Sequence, residues 1–467
     1  MKSQEMVEDS FHAGQTKILE MVVSNTLMLC FVRQSLLRTA MVDFYRSLTR
    51  KRRCNSVVKS SKCLWLAILL VTPCLPSIHA ASSSARNEVF DEVWQTVRDN
   101  FLDPHFNGVD WDMARQRYSG EASKAPTDQE FAVVINTMLA ELSTSHTRFY
   151  TVHDPEYYQL AGILWSIAGS LLKPHLTGDK PTYTGIGIST YESNGRIFVR
   201  NVFDGMPAAE AGLLSGDQIL SADGAPFQPV DSFANKVGQL VHLKVKRTAD
   251  APAREIVVKP KVLDGTIMFL DALKASVQII DIDDVKVGYV HMWAFTGDLY
   301  SAKLDEELNG RLRDADALVL DLRDGWGGAN PRCLWPFFAP TLEMKLIPRG
   351  AKPVVHQEAW AKPVCLLVNE GTRSGKELLT HLFKNARRGP VVGSKTAGAM
   401  VFGRPFVMRD GSLLFLAVTD LMVDGKRIEG VGVSPDIPVP FRNEFSAGDD
   451  PQRRRALEVI ARGSKKR

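Results

Sequence analysis

The stretch Val364-Cys365-Leu366-Leu367-Val368-Asn369-Glu370-Gly371-Thr372-Arg373-Ser374-Gly375-Lys376-Glu377 decides how the chain is read. Five apolar residues, two of them valines, predict a strand buried on both faces, and Leu378, Leu379, Leu382 and Phe383 predict the helix that follows. A serine at such a turn can be held exposed, with helix N-terminal N–H groups facing a developing oxyanion. Serine at a helix start is also an ordinary cap, so the turn alone leaves both roles open.

Working outward, Val287–Val290 and Ala317–Leu322 are further apolar strands, with helical stretches over 304–313 and 376–386 between them. That alternation predicts an α/β core over 286–440 with largely buried strands. The second strand runs into Asp321-Leu322-Arg323-Asp324-Gly325-Trp326-Gly327-Gly328. Glycines there allow close backbone approach to a substrate and can aim a second N–H at the same oxyanion. No Lys-Ser/Thr follows, which argues against a nucleotide loop.

Upstream, apolar residues recur at helical spacing over 88–150, and Thr127 with Glu130 forms a capping-box pattern. This predicts a small helical domain ending at Ser143-Thr144-Ser145-His146-Thr147-Arg148-Phe149-Tyr150. From 183 to 262 the texture changes to short β segments. Gly185-Ile186-Gly187-Ile188 opens it, and Gly205-Met206-Pro207-Ala208-Ala209-Glu210-Ala211-Gly212-Leu213-Leu214-Ser215-Gly216-Asp217 follows. These residues resemble a PDZ domain, in which a glycine-flanked loop offers backbone N–H groups to a peptide carboxylate.

Together the segments resemble the C-terminal processing (tail-specific) family of serine peptidases, over about 88–440. The motifs run in the family's order and also include Val391-Val392-Gly393-x-x-Thr396-Ala397-Gly398 and Ile428-Glu429-Gly430-Val431-Gly432-Val433-Ser434-Pro435-Asp436-Ile437. The resemblance implies a core related to the crotonase and Clp peptidase fold, with Ser374 as nucleophile. Most of the family places a lysine base where this chain has Ala399. The departure turns the reading toward the tricorn-like Ser/His/Glu branch, whose positions here are His146 and Glu429. An imidazole is a suitable base at neutral pH, and a carboxylate fixes its tautomer. Gly375 with Gly327 or Gly328 would supply the oxyanion N–H groups. Lys395 is the reserve base, and Lys376, at the helix start, reads as a surface charge. The resemblance implies no metal or organic cofactor.

The chain has 467 residues, 45% hydrophobic and 24% charged, which allows two or three cores. Its net charge of +4 is concentrated at the N-terminus. Residues 1–80 hold 11 Lys and Arg against 5 Asp and Glu, leaving 46 against 48 in the remainder. No basic field remains to attract nucleic acid, and the bases beyond 441 read as a solvated helix and tail. Cys30, Cys54, Cys63 and Cys74 fall in the leader, and Cys333 and Cys365 are two buried thiols or an optional bridge. Arg50–Arg53, an apolar stretch from Leu64 to Leu75 and a small-residue run from Ala80 to Ser84 have the order of a secretory signal. The expectation is cleavage near Ala80, export to a periplasm or the exterior, and no membrane span thereafter, with Met41 a plausible true start. The expected partners are protein or peptide substrates with accessible C-termini. Two other functions fit the same motifs, a catalytically inactive binding protein and a PDZ adaptor.

Overall fold

The computed structural model describes residues 83–465, apart from 339–342, 348, 351–352 and 358. The leader, with its four cysteines and expected cleavage site, lies outside the described residues.

Three helices come first: α1 (Ser83–Asn100), α2 (Trp111–Lys124) and α3 (Asp128–Ala140). Asp110 caps α2 and Thr127 caps α3, each side chain accepting a backbone N–H of the first turn. Strand β1 (Arg148–Tyr150) follows, then α4 (Pro155–Ile163) and α5 (Trp165–Leu172).

The β-rich insertion begins with β2 (Thr182–Gly185), β3 (Ile188–Ser193) and β4 (Arg196–Val202). The short helix α6 (Pro207–Glu210) precedes β5 (Gln218–Ala222), β6 (Val241–Lys246), β7 (Arg254–Val258) and β8 (Lys261–Asp264). Strands β3 to β7 form one antiparallel sheet in sequential order, which leaves β3 at an edge. Alternating inward residues such as Val241, Leu243 and Val245 build its core.

Helix α7 (Gly265–Ser276) leads into β9 (Gln278–Ile282) and β10 (Val285–His291), then α8 (Asp298–Asn309) and β11 (Ala317–Asp321). Further on lie β12 (Val364–Val368), α9 (Gly375–Asn385), β13 (Val391–Gly393), β14 (Phe402–Val407), β15 (Leu413–Thr419), β16 (Ile437–Pro438) and α10 (Pro451–Ser464). Six strands form a sheet in the order β16-β13-β12-β11-β10-β9, parallel except for β9. Every residue of β11 and β12 is buried, as expected of a sheet covered on both faces. Phe269, Leu304, Leu379 and Phe383 from α7, α8 and α9 pack on one face. Leu457, Ile460 and Ala461 of α10 pack on the other. The C-terminal helix is therefore amphipathic and docked, rather than solvated as its run of arginines suggested.

One open alternative closes on folding and one expectation changes. Cys333 and Cys365 are both buried free thiols, with no bridge. The N-terminal helices do not close a core of their own, because Phe90, Val93, Ile135 and Leu139 pack against Leu414, Leu416 and Ala417 of β15. β1 pairs antiparallel with β15, Arg148 opposite Phe415 and Tyr150 opposite Leu413. That pairing anchors the loop carrying His146 to a strand more than 260 residues away along the chain.

Candidate active site

Loops leaving the carboxyl ends of β11 and β12 build one half of the site, where open α/β sheets place their ligands. Asn369 and Thr372 shape the second loop. The Asn369 side chain accepts the Gly371 N–H at 2.9 Å, and the Thr372 hydroxyl donates to Leu322 O at 3.1 Å. Ser374 then sits at φ +57°, ψ −130°, a conformation that non-glycine residues adopt only when their surroundings hold them there. Its N–H donates to Ala399 O at 2.8 Å and to Glu377 at 3.2 Å. The buried Glu377 carboxylate also accepts from Thr396 Oγ1 at 2.5 Å and from the N–H groups of Gly398 and Ala399, each at 2.7 Å. One carboxylate thus ties the serine turn to the 396–399 loop. Burial pushes its pKa up, against the pull of these donors.

Gly327 lies directly against this turn. A Cβ there would come within 2.6 Å of Ser374 Cβ and 3.1 Å of Gly375 N, so only glycine brings the two backbones this close. Gly328 has φ +83°, and Gly375 opens α9 with its Cα packed on Ala329. The three oxyanion candidates therefore cluster around Ser374.

Lys376 corrects the sequence expectation. It is fully buried, and its Nζ donates to Asp324 O at 2.7 Å, joining α9 to the glycine loop. Burial pushes its pKa down to about 7. The signal was in the sequence: Lys376, Leu379, Thr380 and Phe383 fall at i, i+3, i+4 and i+7, and all are buried on one face of α9.

The other half of the site comes from the loop before β1. His146 also has positive φ, +56°, and its ring packs 5.5 Å from that of Phe415. Nδ1 of His146 is 2.9 Å from Ser145 Oγ, which donates to Glu429 Oε2 at 3.0 Å. Glu429 also accepts the Ser145 N–H at 2.9 Å and the Met400 N–H at 2.5 Å. The carboxylate therefore reaches the imidazole through the Ser145 hydroxyl, a residue that sequence reasoning passed over. Burial first, and then the charge of Arg373, push the His146 pKa down to about 4, so the ring is neutral at pH 7.

His146, Ser374, Gly327, Gly328, Gly375 and Ala399 all line one cavity of about 540 Å³. Lys395 is exposed and lies outside that lining. Gly185, Ile186, Gly187 and Ile188 join β2 to β3, with Gly187 at φ +75° and Ile186 O accepting the Ala208 N–H. Ile186, Gly187 and Ile188 face a second cavity of about 270 Å³ beside edge strand β3. No helix among the described residues is long and apolar enough to cross a membrane.

Comparison with known proteins gives the same order of modules. Residues 83–140 match the tricorn protease C1 domain, 184–258 the PDZ domain and 286–439 peptidase family S41. The chain is 25% identical over 387 residues to carboxyl-terminal-processing peptidase 3 of Arabidopsis thaliana, covering 79% of this chain and 71% of that protein. It is 25% identical over 388 residues to the carboxyl-terminal-processing protease of a Synechocystis species, covering 80% and 86%. It is likewise 25% identical over 385 residues to tricorn protease homolog 1 of Streptomyces coelicolor, covering 80% of this chain but 35% of that protein. The chain thus spans about a third of the length of the Streptomyces coelicolor tricorn homologues it matches, at 31% and 35%. A helical N-terminal module, an inserted PDZ domain and a core that matches peptidase family S41 thus follow one another along the chain.

Proposed function

We propose that the protein is a serine endopeptidase of the Ser/His/Glu type that acts on protein substrates presented through its PDZ domain. The observation that carries this reading is the hydrogen-bonded chain Glu429–Ser145–His146, which ends on the cavity lined by Ser374, while Ala399 occupies the position of the usual lysine.

In this mechanism His146 Nε2 takes the proton of Ser374 Oγ as the oxygen attacks the scissile carbonyl. Charge grows on the carbonyl oxygen, and the N–H groups of Gly375 and of Gly327 or Gly328 stabilise it. The imidazolium is stabilised through Ser145 by Glu429, which also fixes the ring's orientation. His146 then donates the proton to the leaving amine, and water repeats the sequence on the acyl-enzyme. A substrate C-terminus adds to edge strand β3, with its carboxylate at Ile186 and Gly187. The leader directs export, and removal near Ala80 releases the enzyme.

The test is fluorophosphonate labelling together with proteolysis of casein. Labelling should vanish in Ser374→Ala, and turnover should fall by about 100-fold or more in His146→Ala while surviving Lys395→Ala. Absent labelling and turnover in the folded protein would favour a binding protein on the same scaffold.

A further inference from the structure

The catalytic cavity is charged in one sense only. Its lining is largely apolar, from Leu160, Ile163, Met400, Val401 and Phe415 among others, and it includes Arg148 and Arg373 but no Asp or Glu among the described residues. Some arginines elsewhere are paired, Arg247 with Asp217, Arg323 with Asp321 and Asp450, Arg409 with Glu88 and Glu92, whereas Arg196, Arg200 and Arg404 lie over aromatic rings. Among the described residues, neither Arg148 nor Arg373 has an ion pair or a side-chain hydrogen bond. Each guanidinium instead lies near an aromatic face, Arg148 at 5.5 Å from the Tyr150 ring and Arg373 at 5.7 Å from the Trp326 ring.

Glu156 lies within electrostatic range of both arginines without pairing with either, and burial raises its pKa. Asp154 and Glu192 line the neighbouring cavity beside edge strand β3, which Arg148 also borders. The free protein therefore presents two exposed guanidinium groups at the lining of this cavity, one of them on the residue immediately before Ser374. Two planar forks of this kind, without a carboxylate partner of their own, suit a carboxylate on the substrate.

We propose that Arg148 and Arg373 make this cavity select substrates that place a carboxylate within a few residues of the scissile bond. The proposal rests on the peptidase reading given above. The carboxylate is either an acidic side chain or the substrate's own C-terminus.

The experiment maps cleavage sites in casein with the full chain and then synthesises one cleaved peptide in four forms. Glu or Gln stands beside the scissile bond, and the C-terminus is free or amidated. kcat/KM should drop about tenfold for whichever change removes the recognised carboxylate, the worth of one charged hydrogen bond, and the gap should narrow at high salt. A Glu-to-Gln effect identifies the side chain as the source, and an amidation effect identifies the C-terminus. Arg373→Gln should bring the ratio toward one, whereas Arg373→Lys should keep part of it. Equal cleavage of all four forms, or a ratio unchanged in Arg373→Gln and Arg148→Gln, overturns the proposal. So does Ser374-dependent labelling without cleavage of any form, which leaves the nucleophile assignment standing. Loss of both cleavage and labelling brings down the peptidase reading itself.

Discussion

The two halves of the site are built in opposite ways. The half around Ser374, the proposed nucleophile, is local: Ser374, Gly375 and Glu377 are consecutive or nearly so, and Glu377 clasps Thr396, Gly398 and Ala399 about twenty residues on. The half around His146, the proposed base, joins residues 284 positions apart, Ser145 and Glu429, through three hydrogen bonds when Met400 is included. The first half rests on loops that leave neighbouring strands of the parallel sheet. The second requires β15 to capture β1, so the N-terminal helices and the C-terminal strands must fold as one unit.

The difference predicts different failures. Glu377→Ala would leave three donors unpaired, the Thr396 hydroxyl and the N–H groups of Gly398 and Ala399, and should cost about 3 kcal/mol or more of stability. It should show as an earlier thermal unfolding transition, together with lost labelling of Ser374. An unchanged transition would mean that the turn is held by the helix alone. Ser145→Ala should act more gently and on another quantity, lowering kcat about tenfold, one hydrogen bond's worth, with little change in KM or in unfolding temperature. If Ser145→Ala had no effect while Glu429→Gln did, Glu429 would act through Met400 and the 400 loop rather than through the hydroxyl.

The same contrast explains what was legible in the sequence. The strand–turn–helix at Val364–Phe383 and the glycine loop at Gly325–Gly328 could be read because their chemistry sits within one run of residues. His146 and Glu429 came only through family resemblance, since no spacing rule links residues so far apart. Ser145 was missed because a serine beside a histidine has many roles, and its donation to Glu429 exists only once β1 is in place. Lys376 was misplaced for a different reason: its charge was weighed above its position on the buried face of α9. The short β1 strand, three residues, carries no periodic signal, yet it fixes the geometry of the base half.

Arg373 belongs to the first half and acts on the second, which allows a smaller and sharper test. In the proposed mechanism His146 works as a base only when neutral, so activity should be lost as pH falls through its pKa, depressed by burial and by Arg373 to about 4. Removing the Arg373 charge favours the imidazolium, raises that pKa toward its ordinary value near 6.5, and so moves the acid limb of kcat/KM to higher pH. Arg373→Lys should leave the limb close to its original position, because the charge remains. A limb that shifted equally in both variants would trace to altered packing at the serine turn. A limb that moved in neither would mean that the group titrating in the profile is remote from Arg373, and the lysine held at about 7 against the glycine loop, Lys376, would become the next residue to vary.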